Sequence, residues 1–262
     1  MLAYSDTGSG PTFVFLHGLG LNKNVWSSTI TNLSSARCIA IDLPGHGESR
    51  AQICDGRMSS YAAAVREIID KKDLRNVTLV GHSMGGQIGI ILALQMPAVI
   101  SNLALVCAAG LEVFTQEEAD KLKAATASVY SNPISDDTLH KTFFHINPEI
   151  KGVLQQEHIQ QQASNFPQLA KLVTSSVEGM LNEPVSQFLP KIEQPTLVVN
   201  GALDVAIPNR WLHPNMNIND VQNASRAIPK SEQVIIPLAG HYLPVDQPQE
   251  LSTRLNLFRN KS

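Results

Sequence analysis

Gly81-His82-Ser83-Met84-Gly85-Gly86 follows a short apolar run, Val77–Val80, and precedes a helical one, Gln87–Met96. G-x-S-x-G between a strand and a helix puts a serine hydroxyl on a tight, strained turn that projects from the sheet edge. Side chains at Gly81 and Gly85 would clash with the neighbouring strand and helix. The helix start also aims free N–H groups and the positive end of its dipole at the same spot. Ser83 is therefore predicted to be a nucleophile. Such a serine needs a base, and the base an orienting acid. Asp204 lies just past the apolar run Thr196–Val199, and His241 follows Gln233–Ile236 in a loop opened by Gly240. A carboxylate at a strand's carboxyl end is well placed to orient an imidazole, and the imidazole to take the serine proton.

A nucleophile that attacks a carbonyl also needs donors for the developing oxyanion. His17-Gly18-Leu19-Gly20 comes directly after the run Thr12–Leu16, and its glycines let backbone approach a ligand closely. The predicted oxyanion hole is the pair of backbone amides of Leu19 and Met84, with His17 and Gly18 facing the substrate. Asp42-Leu43-Pro44-Gly45-His46-Gly47-Glu48-Ser49 reads as a rigid turn in which Asp42 and His46 hold the oxyanion loop by hydrogen bonds. The side chain of His82 is expected to point away from Ser83. His140, His145, His158 and His213 show no metal-ligand arrangement, so no metal and no cofactor is expected.

These residues must be held by a scaffold. Thr12–Leu16, Cys38–Ile41, Val77–Val80, Leu103–Val106, Thr196–Val199 and Gln233–Ile236 are short, mostly apolar and bounded by turn residues. They read as strands buried on both faces. Helical patterns alternate with them, which predicts a mostly parallel α/β sheet with helices on both faces. Between residues 111 and 184 the strands vanish. Thr115 with Glu118 forms a capping box, Asn147-Pro148 starts a helix, and Phe166-Pro167 opens another through about Leu181. The predicted organisation is a core of residues 1–110 and 185–262 with an all-helical lid over 111–184. An insertion at that point lies over the carboxyl ends of the strands, where α/β ligands bind. Phe114, Val129, Tyr130, Phe143, Phe144, Ile146, Met180 and Leu181 are its apolar candidates for a substrate pocket.

Composition narrows the function classes. The 262 residues are 43% hydrophobic and only 16% charged, which supplies a core and argues against disorder. A net charge of −3 leaves no basic surplus for phosphates, so nucleic acid is not expected as a partner. The longest clean apolar stretch, Ile88 to Leu94, is far shorter than the roughly 20 residues of a membrane span. The opening MLAYSDTGSG has neither the basic nor the apolar region of a signal peptide. Cys38, Cys54 and Cys107 are odd in number and lack redox or metal spacing, so a reduced, cytoplasmic compartment is the simplest expectation. The sequence leaves the oligomeric state open.

Together, H-G-L-G, D-L-P-G-H-G-E-S, G-H-S-M-G-G, P-T-L-V-V-N-G-A-L-D and G-H-Y-L-P-V-D-Q-P resemble the α/β-hydrolase superfamily, in its lidded serine esterase and lipase branch. The resemblance covers nearly the whole chain. It implies the chain order Ser83, Asp204, His241, an eight-stranded sheet, and hydrolysis of a small-molecule carboxylic ester. Only Leu2–Ser5 stands ahead of Thr12, so the first strand of the eight is expected to be missing. The segment between Asp204 and His241 looks longer than usual, and its Trp211 is expected on the pocket rim. Some relatives carry the acid after the preceding strand, which makes Glu112 the competing acid. Other chemistries of the fold are carbon–carbon bond hydrolysis, whose enzymes usually have Asn where His82 stands, and other acyl transfers. Ligand receptors of the fold with little turnover form a separate class and often lack a triad member, whereas all three candidates are present here.

Overall fold

The computed structural model describes residues 1–129 and 167–261. Its strands are β1 (Tyr4–Thr7), β2 (Thr12–Leu16), β3 (Arg37–Ile41), β4 (Val77–His82), β5 (Ile100–Val106), β6 (Thr196–Gly201) and β7 (Ser231–Ile236). They form one sheet in the order β1-β3-β2-β4-β5-β6-β7, antiparallel only where β1 meets β3.

Alternation along the strands explains the layers. Val14 and Leu16 of β2, with Ile39 and Ile41 of β3, enter one apolar cluster; Phe13 and Phe15, with Cys38 and Ala40, enter the other. Successive side chains point to opposite faces, and both faces are covered, so the strands read as continuous apolar runs. The helices Met58–Lys71 and Met84–Gln95 cover the first face, contributing Tyr61, Val65, Ile88 and Leu92. The helix Pro248–Lys261 covers the second with Leu251, Leu255 and Phe258, beside Trp26.

The seventh strand, β1, departs from the six read as strands in the sequence. It pairs Tyr4 with Ile41 through to Thr7 with Cys38. As a half-exposed edge strand with the sequence YSDT it has no apolar run to announce it. It is held from outside: Arg37 donates to both carboxylate oxygens of Asp6, at 2.9 and 2.7 Å, and Lys72 adds a third bond at 2.8 Å.

Between β5 and β6 the described structure is helical. Thr115 and Glu118 form the capping box of the helix Gln116–Val129, each side chain bonding the other's amide. A second helix runs over 167–182. Phe143, Phe144, Tyr130, Ile146 and the Asn147-Pro148 start lie outside the described residues, as does the side chain of Val129. Among the described residues the cysteines are free, and no helix is long and apolar enough to cross a membrane.

Candidate active site

Ser83 sits between β4 and the helix Met84–Gln95 with φ of 53°. A non-glycine residue in this region costs on the order of 1–3 kcal/mol, so the surroundings must impose it. Its amide donates to the carbonyl of Val106, and its own carbonyl accepts from Gly86 and Ala109. The two flanking glycines permit the turn. A Cβ on Gly81 would lie 2.3 Å from the carbonyl oxygen of Gly85, and one on Gly85 would lie 2.5 Å from that of Leu16.

The hydroxyl of Ser83 lies 3.0 Å from Nε2 of His241, and Nδ1 of His241 lies 3.0 Å from Oδ2 of Asp204. A carboxylate only accepts, so Nδ1 carries the proton and the Nε2 lone pair faces the hydroxyl. Asp204 is buried at the end of β6. Its other oxygen accepts the amides of Ala206 and Ile207, at 2.8 and 3.0 Å. Burial works against its charge, but His241 and these two amides outweigh burial and hold the carboxyl below its ordinary range. Glu112, the competing acid, is engaged elsewhere: it accepts the amide of Asn209 at 2.8 Å and pairs with Nδ1 of His213.

Three contacts fix the loop that carries His241. His82 donates Nε2–H to the carbonyl of His241 at 2.7 Å, Asp246 accepts the amide of Gly240 at 2.7 Å, and the Cys107 thiol lies 3.7 Å from the Gly240 carbonyl. The His82 side chain thus turns away from Ser83. Burial drives its pKa down to about 3, so it is neutral, with Nδ1 unpartnered among the described residues. The sequence carries no mark for Cys107, because it acts through the fold on a loop 133 residues away, and none for the role of Asp246, although it stands only six residues from Gly240. The only available signal was the position of Asp246 in the run that follows His241.

The turn after β2 is pinned from behind. Nε2 of His17 accepts the amide of Leu43 at 3.0 Å, its Nδ1–H donates to the carbonyl of Gly18 at 2.8 Å, and Nε2 of His46 accepts the amide of Gly20 at 3.2 Å. Asp42 accepts from the amides of Lys23 and Glu48 and from the Lys23 ammonium. His17 is therefore fully buried and braces the turn instead of facing a ligand. Gly18 packs against Ser83, where an added Cβ would lie 3.0 Å from that of the serine. Among the described residues, the amides of Leu19 and Met84 donate to no backbone oxygen in the turns and loops. Met84 opens its helix, where such an amide has no intrahelical partner.

A cavity of about 450 Å³ opens beside Ser83 and His241. Phe114, Leu122, Val177, Met180 and Leu181 give it an apolar lining, and Glu112 and Asn209 stand at one wall. Trp211 is 62% exposed and lies apart from that lining. Phe143 and Phe144 fall outside the described residues.

Comparison with known proteins follows the same lines. Residues 11–248 match the alpha/beta hydrolase fold family. An uncharacterised protein of Mycobacterium tuberculosis is 36% identical over 110 residues, which is 42% of this chain and 32% of that protein. The pimeloyl-[acyl-carrier protein] methyl ester esterase of Nitrosomonas europaea is 25% identical over 244 residues, 90% of each chain. Among solved structures, a thermophilic esterase from Thermogutta terrifontis superposes with a TM-score of 0.81 at 24% identity, covering 99% of this chain and 93% of that one. The matched segment spans the turn after β2, Ser83, Asp204 and His241, and the chain belongs to the alpha/beta hydrolase fold family.

Proposed function

We propose that this protein is a serine esterase that hydrolyses a small, neutral carboxylic ester. The single observation that carries the reading is the unbroken relay from the Ser83 hydroxyl through His241 to the buried carboxylate of Asp204, with both contacts at 3.0 Å. Ser83 attacks the ester carbonyl while His241 takes its proton at Nε2. The amides of Leu19 and Met84 donate to the tetrahedral oxyanion. His241 then gives its proton to the leaving alcohol, and a water deprotonated by the same nitrogen releases the acid from the acyl-enzyme. Asp204 keeps the imidazole in the tautomer this needs and stabilises its cation. Membership of the family and the likeness to proteins named as esterases support the same chemistry.

The apolar lining of the cavity favours an acyl group or alcohol without charge. Residues 111–184 act as the lid: the helices Gln116–Val129 and 167–182 supply Leu122, Val177, Met180 and Leu181 to the cavity wall. The test is turnover of p-nitrophenyl esters graded by acyl length, compared with the Ser83→Ala variant. Turnover that survives in that variant would overturn the reading.

A further inference from the structure

Glu112, Asn209, His213 and Glu118 form a second polar cluster beside the cavity, outside the Ser83–His241–Asp204 relay. Glu112 follows β5, and its side chain is only 5% exposed. It accepts the amide of Asn209 with both oxygens, at 2.8 and 3.1 Å, and pairs with Nδ1 of His213. The other ring nitrogen of His213 lies 3.3 Å from a carboxylate oxygen of Glu118, on the helix Gln116–Val129. Phe114 stacks on the imidazole at 5.1 Å and 24°. The turn itself is tight: the amide of His213 donates to the carbonyl of Asn209 at 2.7 Å, and Oδ1 of Asn209 accepts the amides of Trp211 and Leu212.

The placement of the protons follows from the partners. Both imidazole nitrogens face carboxylates, which accept and do not donate. With both glutamates ionised, two N–H groups facing them exist only on the cation, so the fully bonded bridge is the one the protonated ring makes. Glu112 and Glu118 are the charged groups that face His213, and Asp204 is the next charge beyond Glu112. Partial burial disfavours the cation, yet the two carboxylates outweigh it and raise the imidazole above its ordinary value. Burial raises Glu112, with His213 and the Asn209 amide pulling the other way.

The cluster joins two pieces of cavity wall that are far apart in sequence. Ile207 and Asn209 come from the segment after β6, while Phe114, Thr115 and Gln116 come from the segment after β5. His213 is absent from the cavity lining and acts on it through Glu112 and Glu118. We propose that His213 is a positioning residue for substrate selectivity: its imidazolium, bridging Glu112 and Glu118, locks the segment after β6 to the first helix after β5 and so sets the width of the acyl pocket.

This rests on the esterase reading, and its test separates the two. The readout is the ratio of kcat/KM for octanoyl and acetyl p-nitrophenyl esters, in which the common chemistry of Ser83 and His241 cancels. The bridge is complete above the Glu112 pKa and below the raised His213 pKa. In the wild type the ratio should therefore shift as the pH rises through the latter, above the ordinary imidazole range. His213→Gln should change the ratio by about tenfold, the scale of a lost pocket constraint, while fluorophosphonate labels Ser83 at the wild-type rate. His213→Arg, whose planar fork donates to two carboxylates and does not titrate, should keep the wild-type ratio but flatten its pH dependence. Should His213→Gln fail to fold by circular dichroism, Glu118→Gln takes its place, because glutamine preserves the capping box with Thr115 and loses only the charge. A folded His213→Gln or Glu118→Gln with the wild-type ratio at every pH overturns the proposal, as does a flat ratio in the wild type. Failure of the wild type to label at Ser83 overturns the esterase reading instead.

Discussion

His82 donates its Nε2–H to the backbone carbonyl of His241 across 2.7 Å, so the residue preceding Ser83 holds the loop that presents the imidazole to it. The turn at Ser83 and the loop of His241 are thereby one unit. The rings lie 5.1 Å apart, and Trp26 meets the far side of His82 edge-on at 6.4 Å. A neutral His82 is needed for this arrangement, since its unpartnered Nδ1 has no acceptor for a second proton among the described residues.

Acid should therefore unfold the protein. His46 is pushed down to about 4 and His82 to about 3, in both cases chiefly by burial. In the unfolded chain each titrates near its ordinary value of roughly 6.5. Between these values the unfolded state binds more protons, so stability falls as the pH drops from roughly 6.5 toward 4. His46 alone should cost on the order of 3 kcal/mol by pH 4. Tm measured against pH tests this, and His46→Gln should show a shallower decline. Equal slopes in both proteins would place the acid sensitivity elsewhere.

Ser83 should be labelled by a fluorophosphonate probe, because only an activated serine attacks phosphorus quickly. Ser83→Ala should abolish labelling and lower kcat by about 10⁶, the scale seen when a triad nucleophile is removed. A labelled alanine variant, read by intact-protein mass spectrometry, would rule Ser83 out.

Asp204 and Glu112 should behave differently. Asp204→Asn should lower kcat by roughly 10⁴ at neutral pH, because the amide favours the wrong imidazole tautomer. Glu112 bonds to Asn209 and His213 instead of His241, so Glu112→Gln should act mainly on KM. The opposite pattern in steady-state kinetics would move the acid to the segment after β5.

Met180 lines the cavity that opens at Ser83, and it is partly buried against the larger core cluster. Met180→Ala should change selectivity between long and short acyl chains by about 1–3 kcal/mol in kcat/KM. Labelling of Ser83 should persist, because Met180 is no member of the hydrogen-bonded relay Ser83–His241–Asp204. An unchanged acyl-length profile would return Met180 to a purely structural role.

Local patterns carried most of the architecture. The five inner strands, β2 to β6, are legible because they are buried on both faces, which demands an apolar run whatever their neighbours are; β7, at the other edge and only partly buried, still carries a short apolar run. The turn at Ser83 is legible because Gly81 and Gly85 leave no room for any side chain. Strand β1 was not legible: at the sheet edge, ion pairs from Arg37 and Lys72 to Asp6 replace an apolar signal. His17 read as a ligand contact because it neighbours the glycines of the turn after β2. Only its burial and its bonds to Leu43 and Gly18 assign it to bracing that turn.

The sequence by itself determined that a serine would stand on a strained strand-to-helix turn, and it supplied two late loops able to bring it a histidine and a carboxylate. Spacing along the chain expresses such features because they depend on residues within a few positions of one another. Which carboxylate meets His241 was decided only in three dimensions. Ser83 and His241 are 158 residues apart, and Glu112 and His213 are 101 apart. The amides of Ala206 and Ile207 aim Asp204 at one imidazole, while the amide of Asn209 turns Glu112 toward the other. The two acids are chemically alike, and only the packing of β5 beside β6 sends each to its own histidine.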